Sequence, residues 1–139
     1  MDEKWFQKRI LMAAEEENCH AFKNTEMFAM GRPDLYIKHP KFGSGVWVEL
    51  KFSPALAKGG IPINMTPLQR RFLEKEQEAG GKSMWIVGVP SKDDMFVSIV
   101  AGIFSRLEVA GPEHFVQTIR TRPKIEPINL YGLLSVAFA

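Results

Sequence analysis

The sequence predicts an α/β fold built on a central mixed β-sheet flanked by helices. Three observations carry that expectation. Residues 31–37, GRPDLYI, and 46–52, VWVELKF, are apolar stretches joined by the turn-rich HPKFGSG segment, and read as a β-hairpin. A clearly signalled helix opens at Thr66, between the second of these strands and a third apolar run, MWIVGV at 84–89. A helix bridging two strands implies a crossover, so the sheet mixes parallel and antiparallel pairs.

The elements follow in chain order. From Asp2 to about Asn18, Trp5, Phe6, Ile10, Ala13 and Ala14 recur at helical spacing and make an amphipathic helix. Its Glu15-Glu16-Glu17 run opposes the helix dipole and leaves the C-terminal boundary loosely set. Residues 20–30, HAFKNTEMFAM, are read as one or two short strands around Asn24. The hairpin comes next. Residues 53–65 hold two prolines and a Gly-Gly pair and read as a loop. Thr66 suits an N-cap, Pro67 the first helical position and Gln69 the third position of a capping box. Leu68, Phe72 and Leu73 supply that helix with an apolar face, and Gly80-Gly81 ends it. After MWIVGV come a turn at 90–94 and a strand at 95–100, while 101–109 carry no firm assignment. Pro112 is expected to open a short helix to about Arg120, with Phe115 and Ile119 one turn apart. The apolar stretch at 128–139, INLYGLLSVAFA, reads either as a strand docked on the core or as a homodimer interface.

Composition narrows the function classes. The 139 residues fit one domain spanning 1–139, and 45% apolar with 24% charged residues is ordinary for a soluble protein. The single Cys19 rules out an internal disulfide and fits a reducing, cytoplasmic compartment. The three histidines are scattered, and no Cys/His pair has zinc-ligand spacing. The N-terminus is too charged for a signal peptide, and no uncharged stretch reaches the roughly 20 residues of a membrane span, so no membrane association is expected. Between Leu50 and Leu73 there are four basic residues (Lys51, Lys58, Arg70, Arg71) and no acid, a modest footprint for a polyanion.

The hairpin charges pose the chemical question. Strand side chains alternate, so Val46, Val48, Leu50 and Phe52 face the core while Trp47, Glu49 and Lys51 face the other way. Leu35 and Ile37 likewise leave Asp34 and Tyr36 on that second face. With a loop at 39–44, Tyr36 opposes Trp47 and Asp34 opposes Glu49, the register that keeps both apolar sets together. Two facing carboxylates ordinarily destabilise a sheet. They make sense around a hard divalent cation, Mg²⁺ or Mn²⁺. Lys51, one pleat further on, is then placed to hold a water or neutralise a phosphate. Solvated surface pairing of Glu49 and Lys51 is the plain alternative.

Taken together, Pro33-Asp34, the Glu49-Leu50-Lys51 strand, the capped helix bearing Gln69, the glycine pair and the apolar strand resemble the PD-(D/E)xK nuclease superfamily. Within it the pattern is most similar to the virus-type replication-repair nucleases (VRR-NUC) and to Holliday-junction resolvases, over residues 1–90. The resemblance implies a restriction-endonuclease-like fold and a Mg²⁺- or Mn²⁺-dependent endonuclease. Its substrate would be DNA, branched forms included, in a bacterial or phage-infected cell. It implies metal binding by Asp34, Glu49 and the Leu50 carbonyl, catalysis by Lys51, and a supporting role for Gln69. Many relatives add a glutamate from the first helix, for which Glu3 is the candidate, ahead of Glu16 and Glu17. Arg70, Arg71, Lys58 and Lys82 are candidates for flanking phosphates. Residues 91–139 match nothing in the pattern. A catalytically idle nucleic-acid-binding module on the same fold, and an interaction protein with surface hairpin charges, are the rival readings.

Overall fold

The structure, a computed structural model, describes residues 1–24, 34–53, 61–62, 66–101, 109–110 and 115–138. Helix α1 (Glu3–Glu16) starts where Asp2 accepts a hydrogen bond from the Trp5 N–H, and stops at Asn18, whose φ of 59° suits a residue that tolerates the left-handed region. Strands β1 (His20–Lys23), β2 (Leu35–Lys38) and β3 (Val46–Phe52) form an antiparallel meander. A two-residue strand, β4 (Ile61–Pro62), interrupts the expected loop. Helix α2 (Pro67–Glu78) then crosses to β5 (Lys82–Pro90), which lies parallel to β3. Strands β6 (Asp94–Ala101), β7 (Val109–Ala110) and β8 (Phe115–Arg120) precede helix α3 (Leu130–Phe138). The main sheet runs β1-β2-β3-β5-β6-β8, with β3–β5 its parallel pair, and β4 pairs with β7 separately.

Both faces of the sheet are packed. On one, Phe6, Ile10, Ala13 and Ala14 of α1 and Leu130, Leu133 and Leu134 of α3 cover Val48, Leu50, Ile86 and Val97. On the other, Leu73 of α2 packs with Trp85, Val87 and Val89, and Phe72, Phe96 and Phe115 close the edge. This double cover explains why β5 is buried from Ser83 to Val89 without alternation, as central strands between two helical layers are. The helices come so close that a Cβ on Gly88 would lie 2.8 Å from the Phe6 ring. Among the described residues no helix is long and apolar enough to cross a membrane.

Two expectations change at the C-terminal end. Residues 115–120 form a strand rather than the end of a helix, because FVQTIR pairs with β6 and its β-branched residues suit an extended chain. Residues 112–114 lie outside the described residues. The apolar tail forms a helix rather than a core strand. Its start is capped twice: Asn129 Oδ1 accepts from Gly132 N at 2.9 Å, and the Glu17 carboxylate accepts from Leu130 N at 2.7 Å and Tyr131 N at 2.8 Å. The Glu17 charge that opposes the dipole of α1 therefore sits favourably at the N-terminus of α3. His39, buried beside it, reaches Glu17 at 3.0 Å through Nε2 and accepts from the Lys41 N–H at Nδ1.

Candidate active site

The hairpin register is the expected one: Tyr36 pairs with Trp47, Leu35 with Val48 and Ile37 with Val46. One residue further, at the mouth of the ladder, Asp34 meets the C-terminal half of β3. Its Oδ2 accepts from Leu50 N at 2.9 Å, and its carboxyl group lies close enough to Glu49 to act on that group's charge. Residues of a strand direct their N–H and C=O to the same side, so the Leu50 carbonyl also leaves the strand toward β2.

Glu49 is only 3% exposed, in contrast to the solvated face that alternation within one strand suggests. The reason is α2, which packs over the neighbouring β5 and reaches Glu49 through its first turn. Gln69 Nε2 donates to Glu49 Oε1 at 3.2 Å, while Gln69 Oε1 accepts from Thr66 N and Gln69 N donates to Thr66 Oγ1. The capping box occupies the amide oxygen and thereby turns the amide nitrogen toward the carboxylate. Both expected contacts of Gln69 coexist.

Burial first, then the Asp34 charge, push the Glu49 carboxyl up from 4.5 to about 8; the Lys51 ammonium pulls the other way, and Glu3 adds to the rise. Burial beside the Asp34 charge thus favours the protonated form of Glu49 at neutral pH. Glu3, at the start of α1, lines a cleft of about 220 Å³ with Lys4, Gln7, Lys23, Asp34 and Leu50. Lys51 holds its ammonium 5.8 Å from the Trp85 ring centroid, an arrangement that needs the β3–β5 pairing and was not legible from the hairpin alone.

The site therefore gathers Asp34, Glu49, Leu50, Lys51 and Gln69, with Glu3 at its rim, at the C-terminal end of β3 and beside the N-termini of α1 and α2. Among the described residues no three His, Cys, Asp or Glu side chains cluster tightly enough to hold a metal by themselves. A carboxylate pair plus a carbonyl still suits Mg²⁺, which keeps several waters and takes further oxygens from substrate phosphate. A cation between the two carboxyl groups would relieve the repulsion that raises Glu49. Arg71 is exposed on α2 and Arg70 half-buried beside it. Lys82 lies elsewhere: it is on the opposite face of the sheet, at the far end of β5, with its ammonium 5.4 Å from the Phe138 ring centroid. Lys58 is outside the described residues.

A mixed sheet with a parallel centre and helices on both faces is the restriction-endonuclease-like fold. The structure is similar to that of Hjc, a Holliday junction resolvase from the archaeal hyperthermophile Archaeoglobus fulgidus, with a TM-score of 0.54 over 79% of this chain and 87% of that one. At 10% identity the likeness is one of fold. No protein-family model matches the sequence, and no curated protein does.

Proposed function

We propose that this chain is a metal-dependent nuclease of the PD-(D/E)xK kind that hydrolyses phosphodiester bonds in structured DNA, junctions or flaps among its substrates. The observation that carries the reading is the convergence of the half-buried Asp34 and the buried Glu49 on one another beside the Lys51 ammonium. A bound Mg²⁺ or Mn²⁺ would supply Lewis acidity to the phosphate and lower the pKa of an attacking water.

The residues of the chain do the rest. The Leu50 N–H fixes Asp34, and the Gln69 amide fixes Glu49, so neither acid must reorganise when substrate arrives. Lys51, resting over Trp85, stabilises charge developing on the phosphate or orients the water. Arg70, Arg71 and the positive end of α2 receive neighbouring phosphates and set the register of the strand without reading bases. The resolvase identity of the similar Hjc structure supports branched DNA as the substrate.

Junction, flap and linear DNA incubated with Mg²⁺ or Mn²⁺ provide the test. The wild type should cut, chelator should stop it, and Glu49→Ala should be inactive. Equal cutting by Glu49→Ala would end the proposal. Salt-sensitive binding without any turnover would instead indicate an idle binding module.

A further inference from the structure

The sheet face that carries Glu49 is ordered in rows, because directly paired residues share a face. The first row holds the acids Asp34 and Glu49. The second, one pleat or about 7 Å further along the strands, holds Phe22, Tyr36 and Trp47, set side by side by the pairings Phe22–Tyr36 and Tyr36–Trp47. The third holds His20 and Lys38, also paired and both exposed.

The second row is a continuous aromatic surface. Phe22 and Tyr36 are stacked with centroids 5.1 Å apart, Tyr36 and Trp47 meet edge-on at 5.2 Å, and Phe72 of α2 closes the row at 5.5 Å from Trp47. A side chain at Gly45 would collide with the Tyr36 ring, so the absence of a Cβ there leaves room for that ring. The row reaches the sheet edge at Phe22, which is 45% exposed.

We propose that Phe22, Tyr36 and Trp47 form a stacking surface for unpaired nucleobases, which selects DNA with a single-stranded segment next to the phosphate that is cut. The inference deepens the nuclease reading and rests on it. Three features identify the occupant. The row is made of rings, with no Leu, Ile or Val among its members, and every base offers a π-face to a ring. It adjoins the acids that would hold the metal beside the phosphate on one side, and Lys38 with the imidazole of His20 on the other, so base and backbone of one strand are met together. A fully paired duplex keeps its bases stacked on each other and has none to offer.

The test measures binding in chelator, where no cutting occurs, to an oligothymidylate, to an abasic sugar-phosphate strand of the same length, and to a blunt duplex. The wild type should bind the oligothymidylate roughly ten-fold more tightly than the abasic strand. Phe22→Ala should remove that advantage and leave duplex binding unchanged. Phe22→Leu, which keeps apolar bulk, should behave like alanine, and Phe22→Trp should restore binding. Phe22 is exposed, so an unchanged melting temperature will show that the variants remain folded. Equal binding of both single strands by the wild type would overturn the inference, as would full oligothymidylate affinity in Phe22→Ala. Conversion of a dimer into a monomer by Phe22→Ala would also overturn it, assigning the face to a second copy of the chain. Cutting assays on the same proteins separate the two readings. If wild type and Phe22→Ala cut flap and blunt DNA alike, stacking fails and the nuclease stands; if the binding pattern holds and nothing is cut with Mn²⁺, stacking stands and the nuclease fails.

Discussion

Replacing Glu49 by glutamine should make the metal-free protein more stable at alkaline pH and no more stable at mildly acidic pH. The carboxyl titrates near 8 in the folded chain and near 4.5 when exposed in the unfolded one. Between those values the folded state holds a proton that the unfolded state has lost. The stability this contributes is complete below about 4.5 and disappears as pH rises through about 8. At about 1.4 kcal/mol per pH unit, the loss for this nearly buried group is at most on the order of 5 kcal/mol. Even about 2 kcal/mol would lower the melting temperature by roughly 6 °C in a chain of this size. Glutamine cannot ionise, and it keeps an oxygen for the Gln69 amide. Urea unfolding of both proteins in EDTA, from about pH 5 to about pH 9, reads the difference directly, because other titrating groups cancel between them. The wild type should fall steadily below Glu49→Gln, and Mn²⁺ should recover the wild type while leaving the variant unmoved. A constant gap between the two curves would refute a buried Glu49 carboxyl raised by its surroundings.

Lys51→Met should fold and lose about two to three orders of magnitude in cutting rate, measured on a cleaved DNA in saturating Mn²⁺. It should also move the pH-dependent loss of stability to higher pH, since the ammonium favours the charged form of Glu49. Glu17→Ala leaves the Leu130 and Tyr131 N–H groups without their carboxylate and should cost about 2 kcal/mol in chemical denaturation, whereas Glu17→Gln should cost less. Gly88→Ala drives a methyl against Phe6 and should cost about 1–3 kcal/mol, partly relieved in the same chain by Phe6→Leu.

The parts of the fold legible in the sequence were those whose cause is local. The capping box is contained in Thr66–Gln69, and the hairpin register follows from a side-chain period of two. Burial of Glu49 was not legible from its own strand, because the cover comes from α2 by way of β5. The lack of alternation in MWIVGV already carried that information: a neighbour buried on both faces implies that β3 is covered as well. Phe115 and Ile119 are four apart, which fits a helical turn, whereas in β8 a register shift opposite Val97 and Ser98 sends them to different faces, Ile119 into the main core and Phe115 against Phe96. The tail from Leu130 is apolar all round, and its helix depends on Glu17, 113 residues earlier. Lys82 was separable from the site by counting alone, since it shares a face with Met84 rather than with Trp85.

Helix α1 is a rod about 20 Å long whose head offers Glu3 to the acid cleft and whose tail, through Glu17, clasps the last helix. One rigid element thus touches both the candidate chemistry and the packing of the final helix, so a change that shifts α1 as a body would be felt at both places.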